Sequence, residues 1–335
     1  MSGMLKDGAW ITMREWEKST SGHFDRQVSR FRGDLPEEGA TVGRYHLYVS
    51  YACPWACRVL MVRALKGLEA AISVSAVAPF MGDDGWAFAD PEGQEEGEED
   101  PDVDADPVLG ARYLREIYQA ADPAFTGRVT VPVLWDRERR TIVNNESSDL
   151  VKILDQRFAR HASRDVELYP EALRPAIDEA MDAIYEPINN GVYRCGFAGT
   201  QAAYEESFEQ LFAALDHHDE LLGRQRYLCG EQLTVADLCL FSTLVRFDDV
   251  YYVHFKCNGK LIAQYDNLSA FAREIYQLPG LAPTVNRRHI KQHYYTSHRQ
   301  LNPRQFVAAG PRDNDFSRPH DRARLPGGPP PGLFV

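Results

Sequence analysis

Between residues 44 and 162, short hydrophobic blocks alternate between strand-like and helix-like patterns. Tyr45–Val49 is rich in β-forming side chains and predicts a strand. Pro54–Lys66 predicts a helix, because proline favours the first turn and Gly67 follows the last. The same patterns predict strands over 72–77, 131–135 and 141–143, and helices over 112–120 and 148–158. This order predicts a small mixed sheet with helices on both faces.

From residue 170 onward the chain shows only helical periods. These predict helices over 175–188, 201–222, 234–245, 267–276 and 284–294. Thr234 and Asp237 have the spacing of a capping box, with Leu233 and Leu238 placed to pack as a hydrophobic staple. We therefore expect an all-helical domain over residues 170–300.

Three regions do not follow these patterns. Residues 1–43 are polar, with scattered aromatic residues, and we expect an arm with little structure of its own. Residues 82–108 are rich in Gly, Pro and acids, and are too long for a simple connection, so we expect a surface insertion. Residues 301–335, rich in Pro, Gly and Arg, predict a tail that lies on the surface or is partly disordered.

The chain has 335 residues and a formal net charge of −12. This argues against DNA or RNA as a partner, because polyanion binding needs positive potential. Ten acidic residues fall between 90 and 106, where there is no Lys or Arg, so the rest of the chain carries a net charge of only −2. We therefore expect the acidity to belong to one solvated loop.

The sequence also bears on location. No apolar run approaches the roughly 20 residues that span a bilayer, so we expect no membrane association. The first residues lack the apolar core of a secretory signal. Six cysteines in a chain of this length do not form a dense disulfide framework, and this favours a cytoplasmic protein with reduced thiols.

Cys53 is the sharpest chemical feature. It stands where the first strand becomes the first helix, in the sequence Ala52-Cys53-Pro54-Trp55-Ala56-Cys57. Helical N–H groups and the helix dipole favour a thiolate at that position, so we expect a lowered pKa and a nucleophilic thiol. The alternative is a buried structural cysteine. Cys57 lies one turn further on without the C-x-x-C spacing of a dithiol, and we expect it to pack in the core.

Other chemical motifs are weak or missing. His289 and His293 have the spacing of two metal ligands on one helix face, but no Glu of an H-E-x-x-H motif and no third ligand accompany them, so we expect no metal. The sequence has no G-x-G-x-x-G, P-loop or G-x-S-x-G motif. Nucleotide cofactors and serine-hydrolase chemistry are therefore not indicated.

Several short motifs, in this order, resemble those of the glutathionyl-hydroquinone reductases, the Xi class of glutathione transferases. The motifs are CPWA (53–56), DGW (84–86), GRVTVPVLWD (127–136), NES (145–147), NNGVY (189–193), LVRFD (244–248), HFKC (254–257) and HY (293–294). The resemblance covers about residues 40–312. It implies a glutathione-transferase fold: an α/β thioredoxin-like domain over 44–162 and an all-α domain over 170–300.

The resemblance also implies a glutathione site. Val131, before a cis proline, would pair its backbone with glutathione as an added strand. Glu146 and Ser147, at the start of a helix, would bind the γ-glutamyl group, whose carboxylate suits helical N–H groups. Trp86 and Arg128 would contact the glycyl end and the peptide backbone. A core aromatic, a solvated charge and a plain helix cap are the ordinary alternatives for these residues.

The implied second substrate is a glutathionyl-hydroquinone, chlorinated or not. Tyr193, Tyr251 and Tyr294 would surround its ring, and phenols can exchange hydrogen bonds with its hydroxyls. Cys53 would take the glutathionyl group as a mixed disulfide, and a second glutathione would release it. Two alternatives stay open: an omega-like thiol transferase or dehydroascorbate reductase, and a non-enzymatic binding protein. The family also implies a homodimer.

Overall fold

The first domain is built on one mixed sheet. The computed structural model describes residues 3–12, 22–89 and 100–334. The strands in the described residues are β1 (Gly3–Lys6), β2 (Ala9–Thr12), β3 (Tyr45–Val49), β4 (Ser73–Ala76), β5 (Val133–Asp136) and β6 (Thr141–Asn144). The four later strands lie side by side in the order β4-β3-β5-β6, with β3 and β4 parallel and the other pairs antiparallel. Every residue of β3 is buried, as expected for a central strand.

The described residues contain ten α-helices, of which the first three belong to the domain with the sheet. They are α1 (Pro54–Lys66), α2 (Leu114–Ala121), α3 (Ser147–Arg157), α4 (Arg174–Ile184), α5 (Gly191–Gly196), α6 (Gln201–Arg224), α7 (Val235–Arg246), α8 (Tyr252–His254), α9 (Asp266–Tyr276) and α10 (Arg287–Ser297). The bounds predicted for β3 and α1 are confirmed, and the other predicted elements are shifted by one to four residues. The six-residue α5 was not predicted, because it is too short to show a helical period.

Helix α1 carries the candidate nucleophile at its start. Cys53 has an extended backbone and Pro54 opens the helix. Gly67 ends it with φ of +62°, a left-handed conformation that favours glycine, and its N–H donates to the carbonyl of Ala64. Nearly all of α1 is buried, since it packs against α3 on one side and α7 on the other. The thiol therefore lies where the two domains meet.

The helical domain is centred on α7, all of whose residues are buried. The predicted capping box is confirmed: the backbone N–H of Thr234 donates to Asp237 Oδ2 at 2.9 Å. Helices α4 and α7 each continue into a wider π-type turn, over Tyr185–Asn189 and Phe247–Tyr251. Such turns are rare and often occur at functional sites.

The N-terminal residues have more structure than the sequence predicted. Strands β1 and β2 form an antiparallel hairpin, and Leu5 and Gly127 exchange two backbone hydrogen bonds of 3.0 and 2.9 Å. Residues 22–33, which we call the strap, bridge the two domains. The carbonyl of Gly22 accepts from the N–H of Gly199, and the N–H of Gly33 donates to the carbonyl of Val143. The prediction of an arm with little structure is therefore wrong for these residues, because long-range pairing holds them in place.

The acidic insertion is anchored at its C-terminal end. Residues 90–99 lie outside the described residues. Asp106 is buried and accepts from the N–H groups of Val108, Leu109 and Ala111 and from the Tyr48 hydroxyl. The prediction of a solvated loop is wrong for this part, since a carboxylate with that many donors is stable when buried.

The C-terminal residues lie along the helical domain. Arg322 is fully buried and donates to the carbonyls of Leu222, Gln225 and Arg226. Phe316 packs on Tyr276 with ring centroids 5.6 Å apart. Of the two predicted states of the tail, the structure has the one on the surface. No helix within 3–12, 22–89 or 100–334 has the length and apolar character needed to cross a bilayer.

Candidate active site

A cavity of about 690 Å³ opens between the thioredoxin-like domain and the helical domain. Eight of the nine predicted site residues line it: Cys53, Trp86, Arg128, Val131, Glu146, Ser147, Tyr193 and Tyr294. These residues come from six stretches of chain and from both domains. The ninth, Tyr251, is fully buried and lies behind the cavity wall.

Cys53 is half-buried and lines the cavity. Its Sγ lies 3.5 Å from the carbonyl oxygen of Val131, the residue that precedes the cis peptide bond to Pro132. The thiol and the predicted peptide-binding backbone are therefore neighbours. Cys57, by contrast, is fully buried, as predicted for a packing residue.

The pKa of Cys53 differs from the sequence-based expectation. Burial raises the pKa of the thiol above its ordinary value. The backbone N–H groups of Ala56 and Trp55 and the charges of Arg246 and Arg26 act in the opposite direction, but burial outweighs them. The helix start therefore provides the predicted stabilisation of a thiolate, without the predicted net lowering of the pKa.

Glu146 and Ser147 lie where β6 turns into α3. Glu146 caps the helix, with Oε1 accepting from the Ser148 N–H at 3.2 Å, and Oε2 accepts from the Ser29 hydroxyl of the strap at 2.9 Å. The Ser147 hydroxyl accepts from the Arg58 guanidinium at 3.4 Å. One carboxylate and the N–H groups of a helix start thus face the same side of the cavity, a suitable arrangement for an ammonium and a carboxylate on one ligand.

Trp86 and Arg128 also line the cavity. The Trp86 ring is buried and stacks on His293, with centroids 4.7 Å apart and planes at 22°. Arg128 is half-exposed in the loop before β5. Trp86 therefore also packs as the core aromatic that the sequence offered as its ordinary alternative.

The three predicted tyrosines form one hydrogen-bonded group. The Tyr294 hydroxyl lies 2.5 Å from the Tyr193 hydroxyl and 3.0 Å from the Tyr251 hydroxyl. Burial raises the pKa of each of the three phenols, and the neighbouring tyrosines raise those of Tyr251 and Tyr294 further. These phenols are therefore neutral near pH 7 and remain able to donate hydrogen bonds.

Buried histidines lie behind the phenols. His254 Nε2 and His298 Nδ1 are 3.1 Å apart, and His298 reaches the cavity. Burial lowers the pKa of His254 and of His293 to about 4, and that of His298 well below its ordinary value. His298 could not be predicted as a site residue from the sequence, because a lone histidine after a helix has no pattern.

Two buried arginines form hydrogen bonds between the domains next to Cys53, and neither was predicted as a site residue from the sequence. The Arg246 guanidinium donates to the carbonyls of Tyr51, Ala52 and Cys53 at 3.0–3.4 Å. Arg58 donates to the side chain of Asn189 at 2.6 Å as well as to Ser147. Among the described residues neither arginine has a carboxylate within ion-pair distance. A signal was available, since Arg246 is the single basic residue of α7 and ends it.

Asp100, Asp102 and His289 are close enough to share an ion in the described part of the chain. Both carboxylates already pair with the Arg288 guanidinium, at 2.6 and 2.9 Å. The predicted helix-face pair does not converge on this cluster, because His293 Nδ1 lies 2.8 Å from the carbonyl of Pro79.

Comparisons with known proteins agree with this geometry. Residues 52–157 match the family model "Glutathione S-transferase, N-terminal domain", and residues 201–274 match "Glutathione S-transferase, C-terminal domain". The chain is 48% identical to the glutathionyl-hydroquinone reductase PcpF of Sphingobium chlorophenolicum, over 92% of this chain and 96% of that protein.

Two solved structures share the whole architecture. The Xi-class transferase of Natrialba magadii superposes with a TM-score of 0.88 at 49% identity, covering 98% of each chain. The glutathione-bound structure of YqjG from Escherichia coli K-12 superposes with a TM-score of 0.80 at 46% identity, covering 85% of this chain and 90% of that one. The chain therefore belongs to the glutathionyl-hydroquinone reductases, the Xi class of the glutathione transferase superfamily.

Proposed function

We propose that the protein reduces glutathionyl-hydroquinones, with or without chlorine on the ring, to hydroquinones at the expense of glutathione. The observation that carries the proposal is that Cys53 shares one cavity with Tyr193 and the buried Tyr294. A nucleophilic sulfur on one wall and phenol donors on the other suit a substrate that joins a peptide thioether to a hydroxylated ring.

In the first half-reaction the Cys53 thiolate attacks the sulfur of the glutathionyl substituent. The ring reacts as its keto tautomer, in which the sulfur-bearing carbon carries a proton. A sulfur–sulfur bond forms, the carbon–sulfur bond breaks, and its electron pair restores the aromatic ring as a phenolate. Tyr193 and Tyr294 donate hydrogen bonds to the ring oxygens, and Tyr251 orients Tyr294.

In the second half-reaction a glutathione thiolate attacks the glutathionyl sulfur held by Cys53. Oxidised glutathione leaves and the Cys53 thiolate is restored, so glutathione is a co-substrate and the kinetics are ping-pong. Val131, Glu146 and Ser147, together with Trp86 and Arg128, are the residues we assign to glutathione. No metal or nucleotide takes part in this scheme.

Wild-type protein and Cys53→Ser test the proposal with two substrates, a glutathionyl-hydroquinone and dehydroascorbate. We expect the wild type to reduce the first, and Cys53→Ser to lose at least about 10³-fold in rate. Cys57→Ser is the matched control, since Cys57 is buried away from the cavity, and it should retain activity. Turnover of dehydroascorbate alone would support an omega-like reductase, and inactivity on both would support a binding protein.

We further propose that the protein works in the cytoplasm as a homodimer joined through the helical domain. Light scattering on the purified protein measures the second point directly. A mass of one chain at micromolar concentration would contradict it.

A further inference from the structure

The strap brings a cation into the cavity. The Arg26 guanidinium carbon lies 4.7 Å from the centre of the Trp55 ring and 4.7 Å from that of Tyr193. Its Nε donates to the side chain of Asn190 at 3.0 Å, which anchors the arginine to the start of α5. The position of the charge is therefore fixed by two aromatic faces and one hydrogen bond.

The same guanidinium has a donor without an acceptor. Arg26 Nη2 is buried and has no hydrogen-bond partner among the residues that the structure describes. A buried and unpaired N–H of a cation is unfavourable unless something else compensates for it. Arg26 also lines the same cavity as Cys53, Tyr193 and Tyr294. The guanidinium therefore combines a fixed charge with a place on the cavity wall, where a bound ligand can accept a hydrogen bond from it.

Negative charge moves during the proposed reaction. It starts on the Cys53 sulfur and ends on a ring oxygen, when the carbon–sulfur electron pair restores the aromatic ring. The Arg26 charge already favours the anionic forms of Cys53 and Tyr193, although burial has the larger effect and raises the pKa of both groups. A fixed cation beside both ends of this path stabilises the charge as it develops.

We propose that Arg26 is a catalytic residue whose guanidinium donates to the hydroquinone oxygen as it becomes a phenolate. The inference rests on the proposed function and assigns to the strap a role in the chemistry of the ring. The proton that finally converts the phenolate to hydroquinone comes from solvent or from the tyrosine group, since a guanidinium does not give one up at neutral pH.

Three strap variants isolate this role. Arg26→Met removes the charge and the donors, and keeps an unbranched chain against Trp55. Arg26→Lys keeps the charge without the planar group. Arg30→Met is the matched control: it removes the same charge four residues later, where the exposed guanidinium donates to the carbonyl of Thr126.

Two rates are measured for each variant. The first is hydroquinone release in a single turnover of glutathionyl-methylhydroquinone. The second is alkylation of Cys53 by iodoacetamide between pH 6 and 10, which reports the thiolate without any ring oxygen. We expect Arg26→Met to slow release on the order of 30- to 100-fold and alkylation by less than about 3-fold. Arg26→Lys should recover part of the release rate, and Arg30→Met should match the wild type in both rates.

Equal loss of both rates in Arg26→Met would overturn the proposal, because the arginine would then act on the thiol alone. An unchanged release rate would overturn it as well. If the wild type alkylates normally but releases no hydroquinone, the proposed function fails, and the inference fails with it. Thermal unfolding of each variant, together with the rate of Arg26→Lys, separates a loss of folding from a loss of chemistry.

Discussion

The two walls of the cavity hold a ligand in different ways. The thioredoxin-like wall offers backbone groups and helix starts: the carbonyl of Val131, the first turn of α1 and the first turn of α3. The helical wall offers side chains, above all the linked phenols of the partly buried Tyr193 and the buried Tyr294. Backbone groups suit a constant peptide such as glutathione, whereas side chains determine which acceptor is used. We therefore expect that mutations in one wall disturb one half-reaction more than the other.

The largest effect on kcat is expected from mutations in the tyrosine group. Tyr294 is hydrogen-bonded to both other phenols and lines the cavity, whereas Tyr251 only contacts it from behind. We expect Tyr294→Phe to lower kcat for hydroquinone release on the order of 10²-fold, and Tyr251→Phe to lower it by less than about 10-fold. Steady-state kinetics measure both values. A larger loss of kcat in Tyr251→Phe than in Tyr294→Phe would contradict this assignment, because it would mean that the hydroquinone ring contacts Tyr251 and not Tyr294.

Mutations in the thioredoxin-like wall should change KM for glutathione more than kcat. Glu146→Gln keeps an acceptor for the Ser148 N–H, presents its amide N–H group to the Ser29 hydroxyl, which can accept instead of donating, and removes the negative charge that we assign to the glutamyl ammonium. We expect KM for glutathione to rise at least about 10-fold, since a charged hydrogen bond is worth roughly 1.5–3 kcal/mol, and kcat to stay within about 3-fold.

Substitution of Ser29, whose hydroxyl donates to the Glu146 carboxylate, serves as the matched control. Ser29→Ala leaves the charge of Glu146 in place and removes only one donor from it. We expect its KM to change by less than about 3-fold. If Ser29→Ala were as damaging as Glu146→Gln, the carboxylate would act by fixing the strap and not by binding glutathione.

The helical wall should also make folding sensitive to acid. Burial lowers the pKa of His254 to about 4, below the ordinary value of 6.5. Between these values the unfolded chain binds a proton that the folded chain does not, so stability falls as pH drops from 6.5 towards 4. The loss is on the order of 1 kcal/mol at pH 5.5.

Urea unfolding at pH 7 and pH 5.5 measures this effect. The loss between the two pH values should be smaller by about 1 kcal/mol in His254→Gln than in the wild type. His217→Gln, at an exposed histidine, should lose as much as the wild type. Equal losses in all three proteins would show that His254 is protonated in the folded state.

The positions of Cys53, Glu146 and Ser147 at helix starts could be predicted from the sequence, because the signals for these helices are local. Cys53, Pro54 and Gly67 mark the ends of one helix, and Glu146-Ser147 directly precedes another. The strap could not be predicted in this way. Its residues are polar and without period, and Arg26 meets its partner Asn190 across 164 residues of sequence. The pKa of Cys53 was also missed, because the helix start is visible in a sequence and the burial around the thiol is not.

The tyrosine group could be predicted only in part. The family resemblance brought Tyr193, Tyr251 and Tyr294 together, and the structure links their hydroxyls. That Tyr251 lies behind Tyr294 depends on the π-type turn Phe247–Tyr251, which periodicity cannot reveal.

The central claim is that Cys53 carries the glutathionyl group between the two half-reactions. Intact-mass spectrometry after a single turnover of glutathionyl-hydroquinone, quenched with acid before any free glutathione is added, tests it most directly. We predict that one glutathionyl group is attached to the wild type, that peptide mapping places it on Cys53, and that added glutathione removes it. Hydroquinone release with no adduct on Cys53, or an equal adduct on Cys53→Ser, would contradict the account.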